Sequence, residues 1–574
     1  MIIFLLLTAV FATLAFFAAG FLPGVAAASA AVLSAACCLT ADRRRLPVLV
    51  AGPALCLAAL IMLTALPLPR GTAGLPGSPR AAQDERVREA VRTAAELDLG
   101  KPFRPLFSLT RNRAATLRTA LMLVAALAAA SLAARLPAAW KRRYLGALVA
   151  MGAGLAAAGY VTQWVLPQGK TIWWLFPVQH GRPVACFVNR NHFGGLLAML
   201  CPSAVLLCLD SLSRRRAPAA LAWGGAFVIM SLAAILSLSR GAWLAYAVSS
   251  AVVGILVLRR QPLLRAAAVL LLAGGVAWGL LRLPQGGALE ERFETLGDGT
   301  RMSSAQMRLH TWRDGLRILG DYPIAGCGAG AFRMVFPQYR SATTRKFFYH
   351  AENEYVQIPA EVGLAGSLAA ALLVFGVARA WLANRREGRL DPVLSLAVAG
   401  ALTVVLVHAV FDFALRIPLY TFTFASLLGL VLDPGPAGRA AAGPGRLRIP
   451  LAPAVAVAFA VLCLFFSRAI HQNDRYPDLE RAGADRLCRA LVWSPTSWQI
   501  WYNLGREALS GTGTRRERFG ASCLDSATRY DPNNYRLWIQ VAVARRARGD
   551  FAGARKAARR VKELRPWARV PEVK

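Results

Sequence analysis

The apolar residues of this chain are gathered into uncharged blocks, each about long enough to cross a membrane. A bilayer core of about 30 Å requires roughly 20 apolar residues per helix. Because 56% of the residues are hydrophobic and only 17% are charged, the charges are left mainly to the segments between blocks. The pattern is typical of an all-α, polytopic transmembrane bundle of about 12 or 13 spans, not of a soluble core. Thirteen predicted spans lie at 2–21, 24–40, 46–66, 116–135, 145–163, 192–210, 218–237, 240–258, 264–282, 359–382, 392–411, 417–433 and 449–467.

The basic residues between the spans predict the orientation. The first span has no basic flank ahead of it, so we expect a retained helix and not a cleaved signal. With the N-terminus in the cytoplasm, every short loop on that side carries three basic residues, as the positive-inside rule requires. These loop residues are 43–45, 141–143, 214–216, 259/260/265, 385/386/389 and 439/446/448. Because many basic residues are expected in such loops, the net charge of +36 does not indicate nucleic-acid binding.

The long connections then fall on the outer, periplasmic face of a bacterial inner membrane. They are residues 67–115, 164–191 and 283–358, together with the C-terminal tail. Within the first of them, residues 83–97 alternate charged and apolar side chains at helical spacing. This pattern predicts a helix lying on the membrane surface.

The tail from residue 468 onward is a second domain, distinct from the membrane domain at 1–467. Ser494-Pro495 followed by Trp501 recurs 37 residues later as Asp531-Pro532 followed by Trp538. The period and the aromatic pattern resemble tetratricopeptide repeats. Because two degenerate copies bury little surface by themselves, we expect the tail to lean on the membrane domain or on a partner protein.

Four polar clusters lie on the predicted outer face, where charged groups near a membrane require a partner or a task. The segment 187–195 contains Asn189, Asn191 and His192, which suit either helix capping or ligand binding. The tight turn at 237–243 contains Arg240, which either extends to the membrane surface or binds an anion. Each cluster is weak by itself.

The other two clusters lie in and after the large outer loop. Residues 308–332 contain Arg308, Arg313 and a glycine run that forms either a tight turn or a backbone cradle for phosphate. Residues 349–355 contain His350 beside carboxylates, which suits either a general base or a structural hydrogen-bond network. A smaller set, His408, Asp412 and Arg416, has four-residue spacing and is interpreted as mostly structural.

In this order, the four clusters resemble the O-antigen ligase and O-antigen polymerase superfamily, which includes protein O-oligosaccharyltransferases. The succession is an asparagine-rich span start, Ser239-Arg240-Gly241 between spans, an outer loop with Arg, Trp, Pro and Gly, and a His/Asn/Glu segment before Glu361-Val362-Gly363-Leu364-Ala365-Gly366. The resemblance covers about residues 100–430. A tetratricopeptide-like tail is a familiar addition in this superfamily.

The resemblance implies a glycosyltransferase-type ligase of lipopolysaccharide or polysaccharide biosynthesis. It would transfer a glycan, with inversion, from undecaprenyl diphosphate to an acceptor hydroxyl on lipid A core, another glycan or a protein. No metal or other cofactor is implied, because arginines can neutralise the diphosphate leaving group. Membrane lipids, the donor and a protein bound by the tail are the expected partners.

The resemblance assigns Arg240 and Arg308 to the diphosphate. Asn189, Asn191, Arg313 and Asn353 complete the predicted substrate-binding set. Where the superfamily usually has His directly before the Asn of this segment, the chain has Glu352, with His350 two residues earlier. Either side chain could accept the acceptor's proton, and the sequence slightly favours His350.

Three alternatives stay open at this point. A glycan polymerase would use the same donor with a second lipid-linked glycan as the acceptor. A transporter for lipid-linked sugars would also suit many spans with arginines, although it predicts internal repeats with interrupted helices that the sequence does not contain. The altered His/Asn segment also fits a membrane scaffold that has lost its catalytic residues.

Overall fold

The computed structural model describes residues 1–16, 32–33, 48–67, 78–178, 183–258, 304–341, 348–432, 479 and 482–570. Within these residues the regular structure is almost entirely helical. The exception is a hairpin of two antiparallel strands of two residues each, β1 (Thr171–Ile172) and β2 (Phe176–Pro177). The helices up to the large outer loop are α1 (Ile2–Phe16), α2 (Val48–Ala65), α3 (Pro79–Glu96), α4 (Arg113–Ala134), α5 (Ala138–Tyr160), α6 (Arg190–Ser213), α7 (Ala217–Leu236) and α8 (Arg240–Leu258). The later helices are α9 (Ser304–Asp321), α10 (Phe332–Val335), α11 (Glu354–Arg386), α12 (Pro392–His408), α13 (Pro418–Val431), α14 (Ala484–Trp493), α15 (Trp498–Leu509), α16 (Thr514–Tyr530), α17 (Tyr535–Ala547) and α18 (Phe551–Leu564).

The all-α, multi-pass prediction is confirmed. Among the described residues, six helices are long and apolar enough to cross a membrane, namely α4, α5 with its π-helical extension, α6, α7, α8 and α11. Shorter apolar helices, α1, α2, α12 and α13, occupy four more of the predicted spans. Of the remaining three, 264–282 and 449–467 lie outside the described residues, as does 24–40 apart from Val32 and Leu33.

Close backbone contacts at glycines hold the bundle together. A Cβ at Gly429 of α13 would lie 2.2 Å from the Ala130 carbonyl oxygen of α4. Small residues at helix interfaces increase van der Waals contact where the surrounding lipid gives no hydrophobic driving force. By contrast, α11 leaves Leu368 61% exposed and Phe375 58% exposed, as expected for a helix that faces lipid.

The bundle has two ends with different chemistry. Helices α5, α7 and α12 begin at one end. There Arg142 of α5 donates a hydrogen bond of 2.7 Å to Asp210 of α6 and one of 3.1 Å to Asp391, the residue that caps α12. We call this the basic end. At the opposite end α6, α8 and α11 begin, and the outer loops and the tail pack against it. We call this the loop end.

Residues 83–97 form part of α3, but the prediction that they lie on the membrane surface is wrong. The apolar side chains of α3, including Val87 and Val91, are buried against the tail helices in one core with Leu487, Leu491 and Trp501. The sequence shows that a helix face is apolar but does not show whether lipid or protein covers it.

The polar side of α3 attaches the tail to the rest of the chain. Asp84 pairs with Arg111 at 2.7 Å, with both side chains fully buried. Gln83 binds the Tyr322 hydroxyl at the end of α9, and Arg86 donates to the Tyr530 hydroxyl of α16 at 3.0 Å. Helix α3 is therefore a strap between the outer loop and the tail.

The tail helices pack pairwise, and the repeat seen in the sequence has matching geometry in both copies. The Trp501 indole donates to the Pro495 carbonyl at 2.9 Å, and the Trp538 indole donates to the Pro532 carbonyl at 2.8 Å. Each bond closes the turn before a new helix. The tetratricopeptide assignment stays a prediction, and the proposed domain boundary at 467/468 lies outside the described residues.

Candidate active site

The polar clusters predicted from the sequence come together at the loop end. The amide of Glu354, which begins α11, donates to the Ala409 carbonyl just after α12 at 2.9 Å. A Cβ at Gly195 of α6 would lie 2.7 Å from the His408 ring, and one at Gly241 of α8 would lie 3.1 Å from Phe411. The starts of α6, α8 and α11 therefore surround the segment 408–416.

Glu352 is held in a strained conformation facing α9. Its φ of 53° lies in the left-handed region, which a residue with a side chain adopts at a cost of about 1 kcal/mol or more. Its carboxylate accepts a hydrogen bond of 3.0 Å from Arg308, and both side chains stay about 30% exposed. Trp312, one turn further along α9, donates to the Ala351 carbonyl at 3.1 Å. These contacts fix a carboxylate and an arginine side by side at a surface that a substrate can reach.

His350 has the surroundings of a neutral imidazole. The Ala351 amide donates to the Gln357 side-chain oxygen, so the Gln357 nitrogen faces His350 Nδ1 at 3.0 Å and donates to it. A neutral ring in this arrangement carries its proton on Nε2. Burial and the nearby Arg416 hold the pKa of His350 well below 6.5, and the ring stacks on Phe413 with centroids 4.0 Å apart.

A buried ion-pair network lies directly behind His350. Arg416 binds both carboxylate oxygens of Glu354, at 3.2 and 3.0 Å, and donates to Glu361 at 2.7 Å. Gln357 also donates to Glu361, at 2.8 Å. Burial disfavours the charge on Arg416, but the two carboxylates more than offset this and raise its pKa. The network fixes the start of α11 to the chain after α12.

His192 and Asp412 form a second buried pair in the same region. Their side chains are 3.0 Å apart, and the ring of His408 lies 3.7 Å from the other oxygen of Asp412. Burial opposes ionisation of Asp412, but His192 and then His408 outweigh it and lower the pKa of Asp412 to about 2. The four-residue spacing of His408, Asp412 and Arg416 does not place them on one helix face, because α12 ends at His408 and Arg416 faces α11.

The remaining predicted residues fall into two groups. Asn189 and Asn353 cap α6 and α11 through their side-chain oxygens, while the Asn191 amide is the donor to Asn189. Arg240 and Arg313 have exposed side chains that, within the described part of the chain, form no hydrogen bond or ion pair. The two arginines are therefore available to an anion.

The glycine run is a docking turn in this structure and not a phosphate cradle. The amides of Cys327 and Gly328 donate to the Ala360 and Glu361 carbonyls of α11, both at 2.9 Å. α11 is kinked at Gly363, whose φ is 65°, and a Cβ there would lie 2.3 Å from the Ile324 carbonyl oxygen. The glycines and the Glu361–Gly366 motif thus fit two backbones together.

Gln357 and Phe413 contact His350 but were missed by the sequence reasoning. Gln357 lies four residues before Glu361, and this helical spacing is the signal from which its position beside Glu361 could have been predicted. Phe413 is brought to His350 by a turn that has no sequence pattern. In the described residues, no group of three or more His, Cys, Asp or Glu side chains is arranged to hold a metal ion.

The central part of the chain is similar to a known protein family. Residues 225–371 match the family model described as O-Antigen ligase. The matched segment contains the turn with Arg240, helix α9 and the segment with His350 and Glu352, whereas His192 and Asp412 lie outside it. No curated protein matches the chain. The chain is therefore a multi-pass helical membrane protein in which residues 225–371 are similar to the O-antigen ligase family.

Proposed function

We propose that this protein transfers a glycan from undecaprenyl diphosphate to an acceptor hydroxyl on the periplasmic face of a bacterial inner membrane. The observation that carries the proposal is the pairing of Arg308 with Glu352 beside His350, close to the turn that bears the exposed Arg240. The O-antigen ligase match supports ligase- or polymerase-type glycan transfer within a membrane. The loop end would be the outer face.

The donor diphosphate would bind through arginines. Arg240 and Arg313 present free guanidinium groups, and Arg308 is already at the edge of the site. Guanidinium groups form paired hydrogen bonds with phosphate oxygens and stay charged at any physiological pH. They would stabilise the negative charge that develops on the leaving diphosphate.

In the proposed reaction, the acceptor oxygen attacks the anomeric carbon from the side opposite the diphosphate. The new carbon–oxygen bond forms as the bond between the anomeric carbon and the diphosphate oxygen breaks. The electron pair of the broken bond leaves with undecaprenyl diphosphate. The proton of the acceptor hydroxyl passes to a base on the protein. Attack from the opposite side inverts the anomeric centre.

We assign the base to Glu352 and not to His350. With Nδ1 engaged by Gln357 and the pKa held low, His350 binds a proton poorly. Its Nε2–H would instead donate to the acceptor or to the carboxylate. When the donor diphosphate draws Arg308 away, the Glu352 oxygen that faced Arg308 would turn to the acceptor hydroxyl, which links deprotonation to donor binding.

The acceptor is defined only by its chemical class. Lipid A core, a protein hydroxyl and a second lipid-linked glycan all present an alcohol, and the last of these would make the protein a polymerase. Asn189, Asn191 and Asn353 stay in the proposed substrate-binding set, although two of them also cap helices. The tail would recruit a protein partner or hold the outer loop.

The test uses the full-length protein reconstituted with an undecaprenyl diphosphate glycan and its acceptor. We expect Glu352→Gln to lower the transfer rate at least about 100-fold, the usual scale for a general base. Glu352→Asp should retain part of the activity. His350→Gln should cost much less than Glu352→Gln, and Arg240→Ala should weaken donor binding.

Glu387→Gln is the matched control, because Glu387 is an exposed, ion-paired glutamate at the basic end. It should transfer at the parent rate. If Glu352→Gln and Arg240→Ala also transfer at that rate, the enzymatic proposal is wrong. If only His350→Gln removes activity, the assignment of the base is wrong.

A further inference from the structure

A groove at the basic end lies far from the candidate active site and has a composition of its own. It is an open cavity of about 500 Å³ between α5, α6 and α7. Its lining includes four arginines against a single aspartate, and these are Arg142, Arg143, Arg214, Arg216 and Asp210. Nothing in the proposed reaction uses this cavity.

The charges and the apolar surfaces of the groove are separated along the helix axes. The arginines lie where α5 begins and where α6 turns into α7, so they form the mouth. One to three turns deeper, the walls are small or apolar, with Gly146, Ala147, Ala150, Leu207 and Trp223. Gly146 leaves room for Trp223, whose ring would lie 3.0 Å from a Cβ at that position.

Two of the four arginines are already neutralised. Arg142 is held by Asp210 and Asp391, and Arg214 binds Asp210 at 2.9 Å. Arg143 lies with its guanidinium 4.8 Å from the centre of the Trp140 ring, and Arg216 has an exposed side chain. In the described residues neither Arg143 nor Arg216 has a carboxylate partner. The mouth therefore carries positive charge that is not neutralised within the groove.

We propose that this groove binds an anionic phospholipid, with its phosphodiester headgroup at Arg143 and Arg216 and an acyl chain along Ala147, Ala150 and Trp223. Basic pockets between transmembrane helices bind anionic headgroups, and the apolar wall excludes a ligand that is polar throughout. A soluble phosphate compound would use the mouth but gain nothing from the wall. The site is independent of glycan transfer and of which face is cytoplasmic.

The experiment measures lipid binding by the full-length protein in a neutral detergent, where no charged bilayer surface contributes. Phosphatidylglycerol should bind saturably, and zwitterionic phosphatidylethanolamine should bind at least about tenfold more weakly. The double variant Arg143→Gln/Arg216→Gln should bind phosphatidylglycerol on the order of 10- to 30-fold more weakly, the effect of two arginines at a headgroup.

The matched charge control is Arg385→Gln/Arg386→Gln, which removes the same charge from the exposed end of α11 outside the groove. It should bind phosphatidylglycerol as the parent does. Ala150→Phe fills the apolar part without changing the charge and should also weaken binding, whereas Ala222→Phe, on the exposed surface of α7, should not.

Three results would overturn the proposal. Equal binding of the two lipids would remove the role of the headgroup charge. An equal loss in the Arg385/Arg386 control would mean diffuse attraction and not a site. If glycerol phosphate competes as well as the whole lipid and Ala150→Phe has no effect, the ligand is a soluble phosphate and not a phospholipid. A melting curve for each variant checks that it is folded.

Discussion

At the scale of single residues, the loop end separates groups that hold the site from groups that face outward. Arg416, Glu354 and Glu361 form a buried network with almost no exposed surface on the carboxylates. Glu352 and Arg308 form a pair whose side chains are about 30% exposed. The sequence predicted most of these residues but could not divide them in this way, because burial of a charge depends on chain segments far apart in sequence.

Removing Arg416 should destabilise the protein strongly. In Arg416→Ala two buried carboxylates lose their partner, and breaking a buried pair costs about 3 to 5 kcal/mol. Thermal or denaturant unfolding of the purified protein in detergent would measure this. Arg386→Ala, at the exposed end of α11, should change the free energy of unfolding by less than about 0.5 kcal/mol. A similar small effect for Arg416→Ala would show that the network does not hold the fold.

At the scale of elements, the sequence was most reliable for helices that cross the bundle. The lengths of the uncharged blocks alone predicted the positions of α4 to α8 and α11 to α13. This works because the thickness of the bilayer core sets the length of a spanning helix, whatever its neighbours are. The assignment of α3 to the membrane surface was wrong, since the tail that covers it begins several hundred residues later. The contact of Phe413 with His350 depends on an irregular turn after α12, which no periodicity encodes.

The kink in α11 gives a prediction about Gly363. An alanine there would be forced to a positive φ, and its Cβ would clash with the Ile324 carbonyl oxygen at 2.3 Å. We expect Gly363→Ala to lower the free energy of unfolding by about 2 kcal/mol or more, combining backbone strain with the clash.

Gly154→Ala in α5 is the matched control, since no atom lies within 4 Å of a Cβ placed there. Alanine is favoured over glycine inside a helix, so this variant should be as stable as the parent or slightly more so. Unfolding midpoints of the two variants, measured side by side, give the comparison. Equal stability of Gly363→Ala and the parent would contradict the docking role of the kink.

At the scale of the whole molecule, the tail is joined to the outer loop by a buried ion pair. Arg340, which precedes the segment that leads to His350, donates to Asp531 at 3.0 Å, and both side chains are less than 10% exposed. Asn533 donates to the Arg340 carbonyl. The tail thus contacts the loop that carries the candidate catalytic residues as well as the strap α3.

This contact predicts a pH dependence of tail docking. Burial raises the pKa of Asp531 from 3.8 to about 6, although Arg340 partly offsets the effect. Because the docked state holds this proton more tightly, docking is strongest below about pH 4 and loses up to about 3 kcal/mol as the pH rises through 6.

Hydrogen exchange of α16 and α17, measured from pH 4 to pH 7.5 and corrected for intrinsic rates, would detect the loss of docking. Asp531→Asn should remove the dependence in this window. Asp525→Asn, at a half-exposed aspartate of α16, should leave it unchanged. A pH dependence that persists in Asp531→Asn would assign it to another group.

The strap α3 also has a consequence for how the protein is made. Its apolar face is synthesised several hundred residues before Leu487 and Trp501, which cover it in the finished fold. Since domains fold in order of synthesis, the nascent chain carries this uncovered face until the tail helices have been synthesised. Chains that terminate early never cover it. Chaperones and proteases that bind exposed apolar segments can therefore distinguish truncated copies from complete ones.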